Sequence, residues 1–154
     1  MSDLKNVLEN VKYLLLDMDG TVYLGGKLIG NMDKTLDKVR KAGKKIIYLT
    51  NNSSKSVESY YKKLTELNLL RLGDEVKTSG LAAIDFLNAN RKGKSVRLLG
   101  TESLKQEFVK SGINVIEDGV ADICVLAYDT ESTYVKLCKF TDNLWENAEY
   151  IATH

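Results

Sequence analysis

No proline occurs among the 154 residues, so cis-prolyl turns and proline kinks have no part in this fold. Histidine is confined to the terminal His154, which excludes a histidine metal site or a Ser-His-Asp triad for this chain alone. Cysteine is scarce as well. Cys124 lies in an apolar run and Cys138 on an apolar helix face, and two cysteines make no disulfide framework, so both read as small buried hydrophobes. Neither sign of charge is in excess, with 22 basic side chains against 21 acidic ones. No overall field therefore draws the molecule to nucleic acid or to an anionic membrane surface. The longest uninterrupted apolar runs, 14–16 and 46–49, fall far short of the roughly 20 residues that a bilayer span needs. Residues 1–10 mix Asp3, Lys5 and Glu9 with no apolar signal core, so a cytoplasmic location is expected.

What is present is an ordinary globular balance, 44% hydrophobic and 28% charged, in a chain long enough to bury a core without staples. Val11 to Leu16 is a nearly continuous apolar run ending in Asp17, the pattern of a strand covered on both faces in a parallel sheet. Thr21 to Leu24 and Lys27 to Ile29 flank Gly25-Gly26 and read as a small hairpin flap. Asn31 is placed to cap a helix with Met32, Leu36 and Val39 on one face and Gly43 at its end. A strand follows at Lys45 to Thr50. Ser53 or Ser54 then caps a helix whose inward positions are Val57, Tyr60, Leu64 and Leu67. A charged turn leads to a short strand near Val76 to Ser79.

The pattern then restarts. Helices are expected around Ala83 to Leu87 and Leu104 to Val109, with strands at Val96 to Leu99, Ile113 to Ile116, Ile123 to Ala127 and Tyr150 to Ala152. A longer helix runs from about Ser132 to Asn147, with Tyr134, Leu137, Cys138, Leu144 and Trp145 marking its apolar, core-facing side. Alternating strands and helices predict an α/β sheet protein with right-handed crossovers. The boundary between two sets of βα units falls in the stretch 73–80, and neither set reads as complete.

The chemistry concentrates in Asp17-Met18-Asp19-Gly20-Thr21, where the first strand runs out into a loop. The carboxyl edge of such a sheet is where ligands bind. Residues two apart in extended chain lie on the same side, roughly 6.6 Å apart, so both carboxylates can face one pocket. Like charges that close call for a cation or a raised pKa, and hard oxygen donors suit Mg²⁺. Asp17 is placed to attack phosphorus and Asp19 to serve as general acid and base. Gly20 lets the backbone turn beside a phosphate, and Thr21 offers a hydroxyl and an amide. A second segment, Leu49-Thr50-Asn51-Asn52-Ser53-Ser54, also leaves a strand just before a helix. Thr50 and the amides there suit a phosphoryl oxygen, although Asn-Asn-Ser-Ser is equally ordinary cap and turn chemistry. Tyr23 on the flap either touches substrate or packs across the hairpin. Helical spacing sends Tyr60 inward, so Tyr60-Tyr61-Lys62-Lys63 is an ordinary charged surface.

Together, Asp17-Met18-Asp19-Gly20-Thr21-Val22-Tyr23 and Leu49-Thr50-Asn51-Asn52-Ser53-Ser54 resemble the haloacid dehalogenase (HAD) superfamily, within it the NagD-like, p-nitrophenylphosphatase-like branch. Thr78-Ser79-Gly80, Val96 to Gly100 and Ala121 to His154 resemble the opening half of that branch's inserted cap. The resemblance implies a Rossmann-like parallel sheet with an inserted α/β cap domain, both incomplete here, with residues 1–77 in the core and 78–154 in the cap. It implies a Mg²⁺-dependent phosphatase of small phosphorylated metabolites that works through an aspartyl-phosphate. Asp17 would be nucleophile and metal ligand. Asp19 would be acid and base and would bind the metal through its carbonyl. Thr50 would hold the phosphoryl group with Asn51 and Asn52 beside it, next to Gly20 and Thr21. Family members are longer, returning to the core after the cap to supply a lysine and further metal-binding aspartates.

The chain stops at His154, and Lys44, Lys45 and Lys77 read as solvated strand-edge lysines that do not replace the missing one. The strand bearing Asp17 would then be an apolar edge, open to a second copy or to a C-terminal portion. A catalytically inactive binding or assembly module is the alternative reading. A phospho-accepting signalling domain would need a further aspartate after the third strand and a lysine after the fifth, and the sequence has neither.

Overall fold

A computed structural model describes residues 9–154. The stretch read for a leader therefore lies largely outside the described residues. The described chain forms two compact units. One runs up to Thr50 and takes in Glu58–Lys77; the other joins Asn51–Val57 to Thr78–His154.

The first unit is built on a three-stranded sheet in the order β1-β4-β5, with β1 at Tyr13–Asp17, β4 at Lys45–Thr50 and β5 at Glu75–Thr78. β1 and β4 run parallel in a register that sets Leu16 beside Tyr48 and Asp17 beside Leu49. Between them, β2 (Tyr23–Leu24) and β3 (Lys27–Leu28) pair antiparallel about Gly25-Gly26, the flap expected from the sequence. Helix α1 (Met32–Lys41) buries Leu36, and α2 (Val57–Glu66) buries Tyr60 and Leu64. Asn31 stands at the α1 N-cap, but its side chain makes no capping bond. Thr35 bonds back to the Asn31 carbonyl instead. Gly43, at φ +75°, ends the helix in the left-handed conformation that a glycine adopts without strain. Arg40 ties α1 to the turn before β5 through Asp74 at 2.6 Å and the Leu69 carbonyl at 2.6 Å.

β1 is not covered on both faces, as its apolar run alone suggests, but stands as the apolar edge that the family resemblance implies. Its inner residues Leu14 and Leu16 are only half-buried, while Tyr13 and Leu15 are 53% and 60% exposed. A strand with a single sheet neighbour keeps the alternating exposure of an edge, however apolar its sequence. Lys44 is likewise not a solvated edge residue: its ammonium donates to the Val11 carbonyl at 2.7 Å.

The second unit holds a four-stranded parallel sheet in the order β7-β6-β8-β9, namely Asn114–Val115, Ser95–Leu99, Ile123–Leu126 and Glu149–Ala152. Helices α3 (Ser79–Asn90) and α4 (Glu102–Lys110) cover one face, where Ile84, Leu87, Leu104 and Phe108 pack on Val96, Ile123 and Val125. Thr78 and Thr101 cap these helices with their side chains. Helix α5 (Tyr134–Trp145) lies on the other face, where Phe140 meets Leu99 and Cys124.

Here too the sequence reading needs correcting. Tyr134 and Trp145 are 81% and 86% exposed rather than core, and the inward line of α5 is Lys136, Phe140 and Asn143. Polar partners on the sheet side set that rotation. Asn143 accepts from the buried Arg97 at 2.5 Å, and Lys136 donates to the Gly100 carbonyl at 3.0 Å.

Candidate active site

The acidic motif is held by the residue between its two carboxylates. Met18 is fully buried, and its carbonyl accepts from the Val22 amide at 2.9 Å and from those of Thr21 and Tyr23 at 3.3 Å. The Gly20 amide returns to the Tyr23 carbonyl at 2.8 Å, with Gly20 at φ +83°, a turn that any side chain would strain. Met18, Val22 and Tyr23 thus anchor a tight loop in the core while Asp17 and Asp19 stay exposed at its rim. Thr21 donates its hydroxyl to Asp17 Oδ2 at 3.3 Å, which orients that carboxylate. The β1–β4 register then brings Thr50, one residue beyond the partner of Asp17, to the same carboxyl edge.

Two tyrosines lie within the electrostatic reach of these acids. Tyr23 is 1% exposed, and burial, aided by Tyr60, Asp19 and Asp17, pushes its hydroxyl up to about 12. The choice left open for Tyr23 falls on packing, since a ring so buried has no surface for a substrate. The Lys63 ammonium sits 3.8 Å from its ring centroid. Tyr60, 5% exposed, is raised by burial; a side-chain hydrogen bond with Thr50 opposes the shift and Asp19 adds to it. Sequence spacing placed Tyr60 inward but carried no signal that it meets Thr50, because that contact joins a strand end to a helix in the folded chain.

Asn51 and Asn52 belong to the second unit. The Asn51 carbonyl accepts from Ser79 at 2.8 Å, and Asn52 Oδ1 closes a turn by accepting from the Ser54 amide at 2.9 Å. The two serines after them do not cap α2, whose first residue is Val57. Ser53 Oγ instead accepts from the Tyr128 amide at 2.8 Å and bonds to Thr153 Oγ1 at 2.9 Å, and the Ser54 carbonyl accepts from Thr101. The Val57 amide is met by Glu107, whose carboxyl burial pushes upward.

In chemical terms the carboxyl edge offers two solvent-facing carboxylates and hydroxyl donors. Exposed hard oxygens of this kind fit Mg²⁺, which commonly takes one or two protein carboxylates and fills its shell with water and substrate phosphate. Among the described residues no group of three or more His, Cys, Asp or Glu side chains is arranged to hold a metal, so Asp17 and Asp19 are the donors the loop provides. No helix among these residues is long and apolar enough to cross a membrane.

Comparison with known proteins identifies the family. A family model of haloacid dehalogenase-like hydrolases matches residues 14–114. The chain is 32% identical over 147 residues to an acid sugar phosphatase of Staphylococcus aureus, covering 96% of the chain and 57% of that protein. Among solved structures, a 4-nitrophenylphosphatase from Thermotoga maritima aligns with TM-score 0.89 and 34% identity, over 96% of this chain and 56% of that one. A glycerol phosphate phosphatase from Mycobacterium tuberculosis, solved in complex with magnesium, aligns with TM-score 0.85 and 26% identity, over 96% of this chain and 45% of that one. The chain thus spans little more than half the length of the curated relative it matches.

Proposed function

This chain belongs to the haloacid dehalogenase-like hydrolases, and from that premise we propose that it carries the nucleophile-bearing part of a phosphatase acting on small phosphorylated metabolites. The observation that supports this most directly is the register setting Thr50 one step past Asp17's partner, with Asp17 oriented by Thr21. In the proposed reaction, Asp17 Oδ attacks phosphorus as the bond from phosphorus to the leaving oxygen breaks. Asp19 donates a proton to that oxygen and an aspartyl-phosphate forms. Asp19 then removes a proton from water, whose oxygen attacks phosphorus. The acyl-phosphate bond breaks, orthophosphate leaves and Asp17 regains its carboxylate.

Thr50 supplies a hydroxyl donor to a phosphoryl oxygen, while Gly20 and Thr21 shape the loop beside it, the Gly20 amide donating to the Tyr23 carbonyl and the Thr21 hydroxyl to Asp17. Asn51 and Asn52 are assigned to the phosphoryl group on the sequence resemblance alone. Mg²⁺, when held by Asp17 and Asp19, would neutralise charge on the phosphoryl group. Residues up to Lys77 are proposed as core and those from Thr78 as cap, working in the cytoplasm.

The test is hydrolysis of p-nitrophenyl phosphate and a panel of sugar and glycerol phosphates with Mg²⁺, for the chain and its Asp17→Asn variant. Turnover that disappears in the variant is expected; turnover that persists unchanged overturns the assignment of the nucleophile. The exposed β1 edge, with Leu15 60% exposed, favours a second reading, a unit that binds phosphoryl groups without turning them over, alone or paired with a second copy or a C-terminal portion. Phosphate binding without hydrolysis would select it.

A further inference from the structure

We propose that the second unit carries a binding site for a small zwitterion of the α-amino acid class, in a cavity of about 230 Å³ lined by β6, α5 and the loop after β7. It is separate from the phosphoryl chemistry proposed above, because every residue that lines it belongs to that unit. The volume lies just below the roughly 300–1,000 Å³ of pockets that hold drug-sized ligands, so it suits a smaller molecule. The inner wall is a buried cation. Arg97 is 6% exposed and none of its partners is a carboxylate: Nε donates to Asn143 Oδ1, and the two terminal nitrogens donate to the carbonyls of Glu117 and Gly119. These bonds use three of its five N–H groups. A guanidinium taken out of water is costly until an anion meets it. Asn143 adds a second buried donor. It is 3% exposed, and because its Oδ1 faces Arg97 its Nδ2 turns the other way, with no partner among the described residues.

The outer wall has the opposite sign. Asp142 and Glu146 line the cavity from the last turn of α5 and its C-cap; both are exposed, and neither forms an ion pair among the described residues. No basic residue stands in that last turn, although the negative end of a helix favours cations and like charges four apart repel. The other lining carboxylates are already matched, Glu117 by Lys105 at 2.6 Å and Asp118 by Lys139 at 2.7 Å. Those ammonium groups hold both carboxyls below the ordinary carboxylate range, so the pairs stay ionised at neutral pH. What remains unmatched is a guanidinium and an amide donor inside, with two carboxylates outside. A metal ion does not suit this lining, since Arg97 repels it and no group of three or more acidic side chains among the described residues is arranged to hold one. A plain anion meets the repulsion of Asp142 and Glu146. A ligand with both signs satisfies both walls. Asn143 and Glu146 are three residues apart, which puts their Cβ atoms about 5–6 Å from each other on one side of the helix. The carboxylate and ammonium of a single α-amino acid span that interval.

The test is an NMR titration of the full chain at neutral pH with glycine, alanine and serine, set against acetate, methylammonium and inorganic phosphate. The amino acids are expected to shift the Gly119 and Val120 amides and the Asn143 side-chain amide, and to bind at least about 10-fold more tightly than acetate or methylammonium, each of which carries one of the two charges. The double variant Asp142→Asn with Glu146→Gln changes only exposed side chains, so its thermal midpoint should match the parent's. It should bind the amino acids about 10-fold more weakly and acetate no worse than before. Acetate or phosphate binding as tightly as the amino acids would reduce the cavity to an anion site, and methylammonium doing so would reduce it to an acidic helix end; either overturns the proposal. So would a double variant that binds the amino acids as well as the parent, or amino acids that shift none of these amides, in which case Arg97 only fastens the 117–119 loop.

Discussion

β1 and β8 are both short apolar strands in parallel sheets, and the structure treats them oppositely. β8 has β6 on one side, β9 on the other and helices over both faces, so Ile123, Cys124 and Val125 are all buried. Among the described residues β1 has only β4 beside it, and Leu15 remains 60% exposed. An apolar run identifies a strand; its burial is decided by how many neighbours the topology gives it. The two units differ in the same way. The second is closed around two apolar clusters and wired by buried polar groups such as Arg97 and Thr101, while the first presents an open strand whose end carries the exposed carboxylates of the candidate site.

The sharpest division between the units would be functional. Asp17→Asn should reduce Mg²⁺-dependent turnover of p-nitrophenyl phosphate by at least about 10³-fold, with little effect on thermal unfolding of either unit. Next in size is the contrast in packing. Leu104→Ala, a fully buried side chain on α4, should cost about 3–4 kcal/mol in denaturant titration. Leu15→Ala on β1 should cost less than about 1 kcal/mol, and comparable losses would show that β1 is covered in solution.

Arg97→Met should cost about 2–4 kcal/mol by the same measurement, because Asn143 Oδ1 and the carbonyls of Glu117 and Gly119 lose their donor. The smallest effect is electrostatic. Lys94, with the Ser95 amide and hydroxyl, holds the exposed Asp122 carboxyl well below its ordinary 3.8. Its contribution is present above that ordinary value and is lost as the pH falls through the lowered one. Glu117, Asp118 and Glu149, also lowered by paired cations, belong to the second unit too. Asp122→Asn should therefore flatten the acid side of that unit's thermal-midpoint profile, from about pH 4 downward.

Local pattern made much of this fold legible. The flap about Gly25-Gly26, β4 at Lys45–Thr50 and the alternation of strands and helices through Ala152 follow from residue periodicity and turn chemistry, which are short-range. The acidic loop was legible because its residues are contiguous and lie where a strand ends. What escaped reading depends on partners distant in sequence. Trp145 and Tyr134 are apolar at helical spacing, but α5 turns Asn143 inward to meet Arg97, 46 residues away. Ser53 and Ser54 are good cap residues, yet their bonds go to residues of the second unit far along the chain, Thr101, Tyr128 and Thr153. Tyr60 was placed inward correctly, while its contact with Thr50 exists only once β4 and α2 have met.

The double engagement of Ser53 has a temporal side. Its partners Tyr128 and Thr153 lie 75 and 100 positions downstream, so neither exists while residue 53 is leaving the ribosome. Bonds of such long sequence separation form late, and the stretch bearing Asn51 and Asn52 must wait for the residue that follows β9 before it is fastened. A change at Thr153 would accordingly loosen a loop near residue 50, a hundred positions away in sequence.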